Sequence, residues 1–153
     1  MKKILMIVAA LSLIGCAPEV ERMAVTPSGR PEVSFATSNT ASVADKLTNL
    51  CAGKGLLVQN ASSSEVVCGG QMQGGDAILA QMLIGNSYST TPELFVKFVI
   101  FKNGATVRVQ AYQWMQTQMA FGQVRKSELN GNAQFNVVLK ALISIGGTPV
   151  TTS

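Results

Sequence analysis

Two long apolar-rich runs, residues 94–102 and 105–115, are separated only by Asn103-Gly104. Asn-Gly takes up the left-handed backbone of a two-residue type I′ turn, so the pair reads as a β-hairpin. With Lys102 set opposite Ala105, Ile100 meets Val107, Phe98 meets Val109, Val96 meets Ala111 and Leu94 meets Gln113. That face is almost wholly apolar, as a strand packed on a core requires. The other face pairs Phe101 with Thr106, Val99 with Arg108, Lys97 with Gln110 and Phe95 with Tyr112, and Trp114 follows on the same side. Rings alternate there with long polar side chains.

A hairpin cannot bury its apolar face alone, so the remaining segments must supply a second layer. Residues 32–36 alternate and read as a first strand. Ser42, with Asp45 three positions on, reads as the start of a helix carrying Val43, Leu47 and Leu50 on one face. Gly53 and Gly55 end it. Residues 56–60 and 65–69 flank a serine-rich turn and read as a second hairpin. Asp76 opens a short helix over 77–84. A strand or turn falls at 120–125, and a last helix over 133–145 carries Phe135, Val138, Leu139, Leu142 and Ile145 at helical spacing. The predicted order is β-α-β-β-α-β-β-(β)-α. This is an α+β domain of two layers, an antiparallel sheet with helices packed on one face. The chain of 153 residues is 47% hydrophobic, which is too apolar for a disordered tail and too short for two ordinary domains.

The first residues read as an address. Lys2 and Lys3 precede an apolar stretch from position 4 to 14, broken only by Ser12. As helix it would rise about 16 Å, well short of a hydrocarbon core about 30 Å thick, so it is a secretory leader and not a span. It closes on Leu13-Ile14-Gly15-Cys16, which resembles the lipobox of bacterial lipoproteins. That resemblance implies cleavage before Cys16 and acylation of both its sulfur and its new amine. Ala17 follows, not the aspartate associated with inner-membrane retention. The implied location is therefore the outer membrane of a Gram-negative cell, with the domain facing the periplasm by default and exposure at the cell surface as the other possibility. Loss of residues 1–15 removes two lysines and leaves ten basic against eight acidic residues, with Arg125-Lys126 the only adjacent basic pair. No basic stripe remains to bind nucleic acid.

Residues 16–31 then read as the lipidated cysteine and an extended tether. Three of the five prolines fall within it. At ~3 Å per residue it would reach up to about 45 Å. The folded domain is expected over 32–146 and a frayed tail over 147–153. With Cys16 given to lipid, Cys51 and Cys68 remain, an even number in an oxidising compartment. A structural disulfide would stabilise the fold by ~3 kcal/mol. A redox pair and a metal site are the rival readings, although the spacing is not Cys-x-x-Cys and the chain has no histidine.

Behind the lipobox, Thr26-Pro27-Ser28-Gly29-Arg30-Pro31-Glu32-Val33 followed by strand, helix and hairpin resembles a group of small Gram-negative envelope lipoproteins. The layout is also similar to the helix-grip modules of BamC, a lipoprotein of the outer-membrane protein assembly machine. No side-chain motif carries a binding residue across.

The absence of histidine removes Ser-His-Asp and Cys-His catalysis. The glycine-rich run 68–75 lacks the Gly-Lys-Ser/Thr ending of a P-loop and reads as a connection. The eight carboxylates are scattered, and no catalytic or metal residue and no cofactor is proposed from them. Met115, Met119 and Phe121 read as core filler. The feature that invites function is the ring-bearing face, Phe95, Phe101, Tyr112 and Trp114. Either a helix covers it as a second buried layer, or it is a surface for a partner. The expectation is a non-catalytic, membrane-anchored accessory subunit that binds another envelope protein. A carrier of a small ligand or lipid, a surface-exclusion lipoprotein of a mobile element, and an envelope hydrolase are the rivals.

Overall fold

The computed structural model describes residues 20–71, 93–118 and 123–152. Its elements run β1 (Glu32–Phe35), α1 (Thr40–Gly53), β2 (Leu57–Ala61), β3 (Glu65–Gln71), β4 (Glu93–Asn103), β5 (Thr106–Gln118), β6 (Val124–Glu128), α2 (Asn132–Ser144) and β7 (Thr148–Pro149). The strands form one sheet in the order β2-β3-β4-β5-β1-β7, and every described pairing is antiparallel. β5 is the spine. Its 13 residues pair β4 along one side, and on the other side β1 takes its first half and β6 its second.

The α+β architecture is the one expected. Val33, Phe35, Val66, Cys68, Val96, Phe98, Ile100, Val107, Val109 and Ala111 line one face of the sheet. Val43, Leu47 and Cys51 of α1 and Phe135, Leu139 and Leu142 of α2 close over them in a single core. Met115, beyond that cluster, is also buried. The helix expected over 77–84, and Met119 and Phe121, lie outside the described residues.

Four local expectations are corrected. The β4–β5 hairpin turns on Gly104-Ala105, not Asn103-Gly104. Asn103 pairs with Thr106, Ile100 with Val109 and Phe98 with Ala111, a displacement of two residues from the register written above. Gly104 takes the positive φ, +62°, at the first turn position, and Thr106 Oγ1 donates to the Asn103 carbonyl at 2.8 Å. One glycine at that position is sufficient for a two-residue hairpin turn, so the asparagine is free to extend the strand.

The cap of α1 is Asn39, not Ser42. Its side-chain oxygen accepts from the Ser42 amide at 3.1 Å, which puts Ser42 at the third helical position.

The other two corrections concern the chain ends. From Glu21 onward the segment read as tether is fastened to the domain. Asn136 of α2 donates to the Glu21 carbonyl and accepts from the Met23 amide, both at 2.8 Å. Thr26, with its hydroxyl on the Arg30 carbonyl, is buried. The tail read as frayed adds β7 to the sheet. Beyond it Val150 donates to Glu32 and Thr152 to Val25. Hydrogen bonds to backbone groups, which leave no mark on side-chain periodicity, hold both segments.

Candidate functional site: the helix-free face of the sheet

Side chains alternate across a strand, so the residues between the core positions point away from both helices. A displacement of two residues keeps that parity, and Phe95, Phe101, Tyr112 and Trp114 do share the helix-free face. What changes is their neighbours. Phe95 pairs with Trp114, Lys97 with Tyr112, Val99 with Gln110 and Phe101 with Arg108. Neither described helix covers them.

Registers across five strands place Leu57, Gly69, Phe95, Trp114 and Glu128 in one row. Phe95 and Trp114 stack with ring centroids 5.4 Å apart and planes 9° from parallel. The stack needs the glycine beside it. A Cβ at position 69 would lie 2.3 Å from Phe95 Cδ1, so the ring occupies the space a side chain would take. Phe95 is thereby buried at 6% exposure with neither described helix over it, whereas Trp114, Tyr112 and Phe101 are half-buried. Leu57 closes the row at the sheet edge, 74% exposed.

Each of the other rings has a cation beside it. Arg30 lies over Tyr112 at 4.3 Å from the centroid, Lys126 over Trp114 at 5.8 Å and Arg108 over Phe101 at 6.0 Å. The first is a close cation–π contact and the others sit near the outer limit. Two of these cations are also ion-paired, Arg30 with Glu128 and Arg108 with Glu32, and Lys97 pairs with Glu65 at 2.6 Å. The Lys97 ammonium, then the Asn60 amide, holds the Glu65 carboxyl below the usual carboxylate range. Arg30, then Asn130, does the same for Glu128. Glu32 is only 1% exposed, and its pairing with Arg108 is an ion pair without an aligned hydrogen bond. Trp114 Nε1 is buried and has no hydrogen-bond partner among the described residues.

These groups surround an open depression of about 600 Å³ lined by Lys97, Val99, Tyr112, Trp114, Lys126 and Glu128. It is broad and shallow. Ring edges and compensated charges suit contact with a complementary surface. Among the described residues no three of His, Cys, Asp and Glu come together as a metal site.

Sequence reasoning found the rings and missed their setting. Gly69, Leu57, Lys126 and Glu128 reach this face through pairings between strands. Arg30 reaches it from the loop before β1. Cys51 and Cys68 are joined, Cα to Cα 6.2 Å, tying α1 to β3 within the core. Cys16 lies outside the described residues. No helix among those described is long and apolar enough to cross a membrane. No family model matches the chain, and no curated protein or solved structure does either.

Proposed function

We propose that the chain is a bacterial lipoprotein, anchored in the outer membrane through acylated Cys16 and facing the periplasm. Its α+β domain is a non-catalytic accessory subunit that binds another envelope protein through the helix-free face. The observation that carries this reading is the gathering of Phe95, Phe101, Tyr112 and Trp114 on a sheet face that neither described helix covers. Large half-buried rings with a ring of paired charges have the make-up of protein interfaces, where aromatic residues and Arg dominate the binding energy. The basic leader and Leu13-Ile14-Gly15-Cys16 support the anchor. With two lipid chains or more, attachment to a bilayer is stable.

Two measurements test the two halves of the proposal. Radiolabelled palmitate should mark the mature protein and should fail to mark Cys16→Ser, which should leave the membrane fraction. A photo-crosslinker at position 101 or 112 should give a discrete adduct with one envelope protein in intact cells, and one at Lys140, on the opposite side, should not. Equal labelling from both sides, or none from 101 and 112, overturns the partner reading.

A further inference from the structure

The proposed anchor and the docked N-terminal segment together constrain how the domain stands on its membrane. Between Cys16 and Glu21 there are five residue steps, a reach of at most about 17 Å when fully extended. At Glu21 the chain is already fixed to α2 by the reciprocal pair of hydrogen bonds to Asn136. Arg22 adds hydrogen bonds to Asn132 at 2.9 Å and to the Asn130 carbonyl at 3.2 Å, and lies 4.7 Å over the Phe135 ring. A helix with its side chains is about 10–12 Å across. α2 is therefore held within two helix widths of the acylated residue.

The surface that this leash presents is apolar. Val20 and Met23 are each 51% exposed, Val25 69% and, on the adjoining outer side of α2, Val137 67%. α2 contains no carboxylate, and its single charge is Lys140, which is exposed. Across residues 20–25 and α2 the one carboxylate is the exposed Glu21, and the cations are Arg22 and Lys140. Exposed aliphatic side chains in that setting suit the headgroup boundary of a phospholipid bilayer, where apolar groups enter and a lysine reaches the phosphates.

Resting on the lipid-anchor reading, we infer that the outer side of α2 and the segment through Val25 lie directly on the bilayer that holds the acyl chains. The ring-bearing face, on the opposite side of the sheet, then looks away from the membrane toward the compartment. The domain is a platform of fixed orientation, not a body searching on a 45 Å tether.

The test uses the full lipidated protein in vesicles of phosphatidylethanolamine and phosphatidylglycerol. A nitroxide is placed in turn on Val25→Cys, Val137→Cys and Leu57→Cys, with the Cys51–Cys68 bond left oxidised. Power saturation should give labels at 25 and 137 a higher accessibility to oxygen than to an aqueous nickel chelate, and should give the label at 57 the reverse. Labels at 25 and 137 that match the one at 57 overturn the inference, as do labels shielded from both reagents, which would put protein there. Failure of the anchor itself is read separately. An intact mass without acyl chains, or protein that does not float with the vesicles, sinks the lipoprotein reading and takes this orientation with it.

Discussion

A methyl group at position 69 would sit 2.3 Å from Phe95 Cδ1 and 2.5 Å from Cε1, closer than any unstrained contact. The Phe95 ring cannot simply swing away, because Trp114 stacks against its other side. Gly69→Ala should therefore cost about 1–3 kcal/mol as an overpacking change. Trp114 is the sole tryptophan, so its emission should shift in the folded protein as well as report the lower urea midpoint. An unchanged spectrum and midpoint would mean that the stack is not held between glycine and indole. The carboxyls at 65 and 128 make a second prediction at this scale. Both have pKa values below the ordinary 4.5 in the folded protein, lowered by Lys97 and Arg30 respectively. Unfolding then takes up protons, so their contribution is present above the unfolded value and disappears as pH falls through the folded one. Stability should fall on acidification below about pH 4.5, and Glu65→Gln with Glu128→Gln should flatten that limb in urea titrations at each pH. Both groups are solvent-exposed, so added salt should shrink the difference.

Among the elements, α1 and β3 carry the covalent link, and its place explains what it should do. Cys68 has no exposure and Cys51 has 2%, so a reductant has no access to the sulfurs while the core is closed. A thiol reagent should leave the bond intact under native conditions and break it in urea. Cys51→Ser with Cys68→Ser should lose ~3 kcal/mol, the value for a loop of this length, read from equilibrium unfolding. Rapid reduction in native buffer would mean that α1 opens easily from the sheet. The pairing was legible from cysteine arithmetic alone, and so was the division of the sheet into an apolar face and a ring-bearing face. The hairpin shows why. Asn103-Gly104 suggested a register two residues from the observed one, yet strand side chains repeat every two residues, so each ring stayed on its face while its partners changed. Parity is a property of one strand and can be read along the chain. The pairing of Gly69 with Phe95, or of Trp114 with Glu128, belongs to two strands at once and leaves no local trace. The same limit hid Asn39 as the cap of α1, because Ser42 with Asp45 gave a competing start three residues later.

At the scale of the molecule, the C-terminal residues cover one edge of the sheet, the edge opposite β2. β6 has a charged edge, with Arg125, Lys126 and Glu128 in five residues. β7 is two residues long and ends in Pro149, which has no amide to offer a further strand. Beneath β7 lies β1, whose Val33 and Phe35 are core residues. The strand is covered because Val33 pairs with Pro149, Ser34 with Thr148, and Val150 donates to Glu32. Residues 148–152 have no hydrophobic periodicity, and their contribution is the β1–β7 pairing, the bonds from Val150 to Glu32 and from Thr152 to Val25, and the cover they give to an edge. Ending the chain at Gly147 should cost on the order of 1–3 kcal/mol from those bonds. The larger effect should be on solution behaviour. With Glu32–Phe35 opened as a free edge flanked by β5, the shortened protein should form concentration-dependent oligomers, measured by light scattering, while its far-ultraviolet circular dichroism stays close to that of the full chain. A shortened protein that stays monomeric with an unchanged urea midpoint would mean that β7 does not guard this edge. In that case the docking of Val25 against Thr152 would also carry little energy, because both contacts depend on the same last residues.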